Sequence, residues 1–141
     1  MSQLVTFDCF QLDLGLARHN FSSDTLKFCL TNTAPVQATD DQLADITQVS
    51  LTNLSGTHVI AVTTWSETAG VAGLVVGDVD EVASGGDVGP FRWIVVYNDT
   101  TSGKPLIGYL DLGSSQTLAN TKHLEIVQTV GVPFLKLKRA A

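Results

Sequence analysis

The stretch that most restricts how this chain can fold is "GPFRWIVVYNDTTSGKPLIGYLDLGSS", residues 89–115. Two apolar arms, 91–97 and 106–112, flank a polar loop in which Gly103 can supply a positive φ and Pro105 fixes the start of the next strand. The pattern predicts an antiparallel hairpin. A hairpin on a protein surface has one polar face, because only one face meets the core. Here period-two alternation puts Phe91, Trp93, Val95 and Tyr97 on one side and Arg92, Ile94 and Val96 on the other, so neither side is polar. Both must be covered, either by two layers of one domain or by a second subunit.

Other segments carry the same chemistry. "TLKFCLT" places Leu26, Phe28 and Leu30 on one face and Lys27, Cys29 and Thr31 on the other before Pro35 breaks the run. "GTHVIAVTTW" is rich in β-branched residues and bounded by loop-forming ones. "HLEIVQTV" and "PFLKLK" alternate Leu or Ile with charged or polar residues, as one-sided or edge strands do. Near the start, Phe7, Phe10 and Leu14 stand at helical spacing, while Val5, Phe7 and Cys9 alternate as in a strand. "QLADITQVSL" fits a turn of helix as well as a strand. Six to eight short strands and one or two short helices predict a mainly β fold, an antiparallel sandwich or barrel-like domain. One domain is expected over residues 1–141, closing in a basic tail at 136–141.

Charge narrows the partners. Charged residues are 16% of the chain, below the roughly 25% usual for soluble domains, and Thr, Ser, Asn and Gly fill the deficit. Such a surface suits a β-protein partly covered by neighbours. The net charge of −6 and the lack of a basic stripe argue against nucleic acid. Only the end, with Lys136, Lys138 and Arg139, concentrates positive charge. The longest apolar run is interrupted by Asp78, Asp80 and Glu81 well short of the ~20 residues of a membrane span, so no membrane is expected.

Catalytic chemistry finds little purchase. His19, His58 and His123 stand at no metal-binding spacing, and "GDVDE" lacks the spaced acids of a calcium loop, reading instead as a charged turn or strand end. "SGGDVGP" has no Lys-Ser/Thr and precedes a β-run, which excludes a phosphate loop. Cys9 and Cys29 form no C-x-x-C pair and are expected as free, buried thiols. Trp65, Trp93, Tyr97 and Tyr109 would make either a sugar-stacking platform or, as alternating strand aromatics usually do, part of a core. No cofactor, metal or small-molecule ligand is called for.

"FSSDTLKFCLTNTAPV" with "QLADIT", and then "GPFRWIVVYNDTTSGKPLIGYLDLGSSQTL", resemble blocks shared by a family of small structural proteins of tailed bacteriophages and prophages. About half of the chain is covered. The middle, "NLSGTHVIAVTTWSETAGVAG", and the end depart from the family pattern. The resemblance implies a non-enzymatic virion component, made in the bacterial cytoplasm. The favoured role is head decoration or cement, bound to the major capsid protein and to copies of itself, as in a homotrimer. A tail, neck or baseplate part is the second expectation, and a carbohydrate-binding host-attachment module the third. The interface is expected on Arg92, Ile94 and Val96 with Ile107 and Tyr109, assisted by Lys136, Lys138 and Arg139.

Overall fold

The computed structural model describes residues 4–128 and 133–138. The strands run β1 (Val5–Thr6), β2 (Leu26–Thr31), β3 (Val59–Ile60), β4 (Val62–Thr68), β5 (Val71–Val76), β6 (Val79–Val82), β7 (Val88–Asn98), β8 (Leu106–Leu118), β9 (His123–Ile126) and β10 (Leu135–Lys138). Among the described residues one α-helix, α1 (Cys9–Gly15), follows β1, and the undecided "QLADIT" segment forms a 3-10 turn at Leu43–Asp45. The mainly β, antiparallel class is as expected. Among the described residues the strands form three ladders, β1-β8-β7-β2-β3, β10-β5-β4 and β6-β9, without closing into a barrel.

The long hairpin β7–β8 is the spine, and β2 pairs along β7 from Leu26↔Asn98 to Thr31↔Trp93. Leu26, Phe28, Leu30, Ile94, Val96 and Ile107 enter the principal core, which Leu74 and Val76 of β5, Leu124 and Ile126 of β9, and Leu135 of β10 close from across. The other side of the same strands carries Cys29, Val95, Tyr97 and Leu106 into a second, smaller core. Its lid comes from the chain itself: Phe7 from the loop after β1, with Leu43 and Ile46 at the 3-10 turn. The doubly apolar hairpin is thus a central strand pair of one chain, not a face left open for a second subunit.

Strict alternation fails at one residue of the first arm. Phe91 belongs with Ile94 and Val96 in the principal core, whereas period two would place it with Val95. The ladder explains this. Trp93 faces Asp111 but Phe91 faces Gln116, so β8 carries extra residues around Gly113 (φ 87°) that re-aim the strand pair.

β1 seats on the edge of β8 over a glycine. A Cβ on Gly108 would lie 2.5 Å from Leu4 Cγ and 2.6 Å from the Val5 carbonyl oxygen, with Thr6 directly opposite in the ladder. Gly108→Ala is therefore expected to displace β1 and cost about 1–3 kcal/mol. An unchanged urea midpoint would show that β1 is not seated there.

Candidate functional site

Three of the residues expected at the interface are not on the surface. Ile94, Val96 and Ile107 are 1%, 0% and 0% exposed, locked into the principal core. The misassignment arises because an apolar face that looks unpartnered in sequence is covered here by distant strands of the same chain. Arg92 is on the surface, where Nε and an Nη bond the two Asp111 oxygens at 2.8 and 3.1 Å and the guanidinium lies 4.8 Å from the Trp93 ring centroid. Those bonds hold the Asp111 carboxyl below the usual carboxylate range. Tyr109 is half-buried, its ring 5.2 Å from Phe7. Lys136 is exposed opposite Gly73, Lys138 pairs in register with Val71, and Arg139 lies outside the described residues.

Nor do the four aromatic residues form one platform. Tyr97 is buried and Tyr109 packs on Phe7 in the smaller core, Trp93 sits under Arg92, and Trp65 meets Phe21 edge-on at 5.0 Å beside the principal core. Trp65 lines a cleft.

What the structure does bring together are residues of the blocks that carry the resemblance. Asn98, wholly buried, donates from Nδ2 to Asp24 Oδ2 (2.7 Å), while its Oδ1 accepts the N–H groups of Thr100 and Thr101 (3.0 and 3.3 Å). Thr25 N–H donates to Thr100 Oγ1 at 2.8 Å, and Lys27 and Lys104 both pair with Asp99. These bonds pull the Asp99 carboxyl below its ordinary value. Thr31 Oγ–H donates to the Thr47 carbonyl at 2.6 Å, and Asp45 Oδ2 accepts the N–H groups of Asp41 and Gln42. "DTLK", "LTNTAP", "LADIT" and "YNDT" are therefore one hydrogen-bonded unit around the β7–β8 turn. Such a role is not visible in sequence, because the bonds that join one segment to another span 16 to 75 residues.

The ionisable residues are equally occupied by structure. His58 Nδ1 lies 2.5 Å from Glu81 Oε1 while its backbone N–H donates to Oε2 at 2.8 Å, and His123 Nδ1 lies 2.6 Å from Asp80. Asp78 caps the Gln128 N–H at 2.8 Å. "GDVDE" is thus the start of β6 and its turn, and no group of three or more metal-ligating side chains occurs among the described residues. His19 stacks on Phe21 and meets Phe10 at a tilt, and burial there lowers its pKa.

Cys9 and Cys29 are free thiols, with Cys29 buried and Cys9 half-buried. Burial pushes the Cys29 thiol from 9.0 up to about 12 and Cys9 to about 11, the latter aided by the Asp13 and Asp41 charges. A raised pKa in the fold means the unfolded chain loses these protons first. The stability they protect is intact below pH 9 and lost as pH rises from 9 towards 12, with a slope of about 1.4 kcal/mol per pH unit for Cys29 once its unfolded thiol is ionised. Denaturation midpoints are expected to fall above pH 9, and less so in Cys29→Ala. Equal alkaline sensitivity in the two proteins would refute the assignment.

The two most exposed large apolar residues among those described lie in α1 and at its C-terminal cap. Leu12 and Leu16 are 65% and 61% exposed and lie one turn apart, the Leu16 N–H donating to the Leu12 carbonyl at 3.0 Å. Val36 (51%) stands on the neighbouring turn, which the Asp8 N–H and the Gln37 side chain tie to the start of α1 and to β1.

No protein-family model matches the chain, no curated protein matches it in sequence, and no solved structure matches it in fold.

Proposed function

We propose that this protein is a non-enzymatic structural component of a tailed-phage virion, a head decoration or cement protein that binds the outer capsid lattice beside further copies of itself. The observation that carries the reading is the spatial unity of the resembling blocks. Segments separated by up to 75 residues in sequence interlock at Asp24, Thr25, Asn98 and Thr100, so the likeness is one of a folded unit and not of scattered short matches. In the same reading the three ladders are the layers of an open sandwich around the principal core. The partner surface belongs outside the interlocked unit, since Asn98, Asp99 and Thr100 are already bonded within it.

The exposed pair Leu12 and Leu16 is the contact we assign to the capsid subunit, because large apolar side chains grouped on a surface mark protein interfaces. Leu16→Asp is expected to fold with an unchanged urea midpoint yet to reduce incorporation into particles at least about tenfold, the equivalent of about 1.4 kcal/mol. Normal incorporation would remove the helix from the interface. The role itself is tested by copy number. A decoration protein approaches the stoichiometry of the major capsid protein in purified virions, and particles lacking it release DNA sooner on heating. A few copies per particle would instead favour a tail, neck or baseplate position.

A further inference from the structure

Between β4 and the turn before β2 lies a cleft of about 410 Å³, lined by residues 21–25 and 59–65, at the lower end of the roughly 300–1,000 Å³ typical of small-molecule sites. Its lining has a consistent chemistry. The hydroxyls of Ser23, Thr25, Thr63 and Thr64 bond no other described residue, and the single charge in the lining is the Asp24 carboxylate. That carboxylate is fixed in place. Its Oδ2 accepts the Asn20 N–H at 2.9 Å and the Asn98 side-chain amide at 2.7 Å, and Asn98 is itself wholly buried, so Oδ1 is held free at the edge of the cleft.

The aromatic wall is equally fixed. Val62 and Trp65, three residues apart, would face opposite ways in a regular strand, yet both pack on the principal core. The ladder advances from Val62↔Val76 to Thr64↔Val75, so Thr63 is an inserted bulge residue that turns Trp65 inwards and leaves Thr63 and Thr64 exposed. Phe21 then holds the indole edge-on at 5.0 Å and 72°. The Trp65 N–H bonds no other described residue.

A rigid carboxylate acceptor, a row of hydroxyls and an indole, with no cation, suit a neutral ring that has hydroxyl edges and apolar C–H faces. Phosphate, sulfate and acidic ligands would meet only the Asp24 charge. An extended peptide adding to the edge of β4 would meet the Thr63 bulge, which interrupts regular pairing. We propose that this cleft binds a neutral saccharide, with sugar hydroxyls donating to Asp24 Oδ1 and a ring face lying on Trp65. The chemistry holds whatever position the protein takes in a particle.

Trp65 and Trp93 are the only tryptophans, so Trp93→Phe leaves Trp65 emission as the reporter. That protein is titrated with millimolar methyl glycosides of glucose, galactose, mannose and N-acetylglucosamine, and with a neutral glucose oligosaccharide. A saturable emission change with at least one of them is expected. Thr64→Lys adds bulk and charge to the cleft without touching the core, and is expected to weaken that binding about tenfold with an unchanged urea midpoint; Trp65→Ala, which also loses packing on Phe21, is expected to abolish it in the parent protein when followed by calorimetry. No response to any of these sugars, or a response that Thr64→Lys leaves unaltered, would overturn the proposal. So would a response to inorganic sulfate or to a β-strand peptide in place of sugar.

Discussion

Ile94→Asp is expected to abolish folding. Ile94 is 1% exposed among Phe28, Leu30 and Leu110, and no cation is paired with that site among the described residues. A carboxylate placed there either stays ionised at a cost of several kcal/mol or takes up a proton, and in both cases the packing of an isoleucine is lost. Added to a cavity and shape penalty of about 2–4 kcal/mol, this approaches the whole stability of a typical domain, roughly 5–15 kcal/mol. Circular dichroism and size-exclusion of the purified variant would show an unfolded or aggregated chain. A folded, monomeric Ile94→Asp protein would mean that the β2–β7–β8 face is open to solvent. Leu16→Asp is the matched control, since it adds the same charge to a side chain that is 61% exposed.

Asn98→Ala is expected to cost about 2–4 kcal/mol. The change strands the Thr100 and Thr101 N–H groups and leaves Asp24 Oδ2 with the Asn20 N–H as its remaining donor. Each unsatisfied buried group costs about 1–3 kcal/mol, offset in part by water where the turn can open. Because Asn98 joins the turn before β2 to the β7–β8 loop, amide exchange is expected to rise at Thr25 and at residues 99–104 together. Exchange that rises only next to the substituted residue would show that the two turns are held separately. The same variant frees Asp24, so a saccharide bound in the adjoining cleft would be held less tightly as well.

How much of this was legible depends on the range of the interactions involved. The alternation of Leu26, Phe28 and Leu30 against Cys29 is local, and it appears unchanged as the two faces of β2 in the two cores. Leu124 and Ile126 against His123 and Glu125 behave likewise in β9. The helix was legible through Phe10 and Leu14, although Phe7, which shares their spacing, precedes it and packs in the other core. "GTHVIAVTTW" was legible as β, but its division into β3 and β4 was not. Ala61 lies between them and gives its carbonyl to the Gly77 N–H, a partner 16 residues away.

The candidate site was less legible than the fold. Trp65 is legible in sequence as one of four candidate stacking aromatics, but its companions in the cleft are not, because Ser23, Asp24 and Thr25 stand some forty residues earlier in the chain. Asp24 carried a signal only as part of "DTLK". Its bond to Asn98 needs the hairpin and the turn to be folded against each other.

From sequence alone came a mainly β, antiparallel chain, a long hairpin at 89–115 with both faces apolar, two free thiols and a charge balance unsuited to nucleic acid. Period-two alternation, turn residues and composition act over a few positions, and so they survive being read in one dimension. Tertiary structure alone decided what covers the hairpin. Ile94 and Val96 look like an interface as long as their neighbours in space are unknown, and they become core when β5, β9 and β10 close over them while Phe7 and Ile46 cover the opposite face. Burial is a property of residues far apart in the chain, and the bulges at Gly113 and Thr63 that turn Phe91 and Trp65 inwards are set by ladder register, which no local pattern encodes.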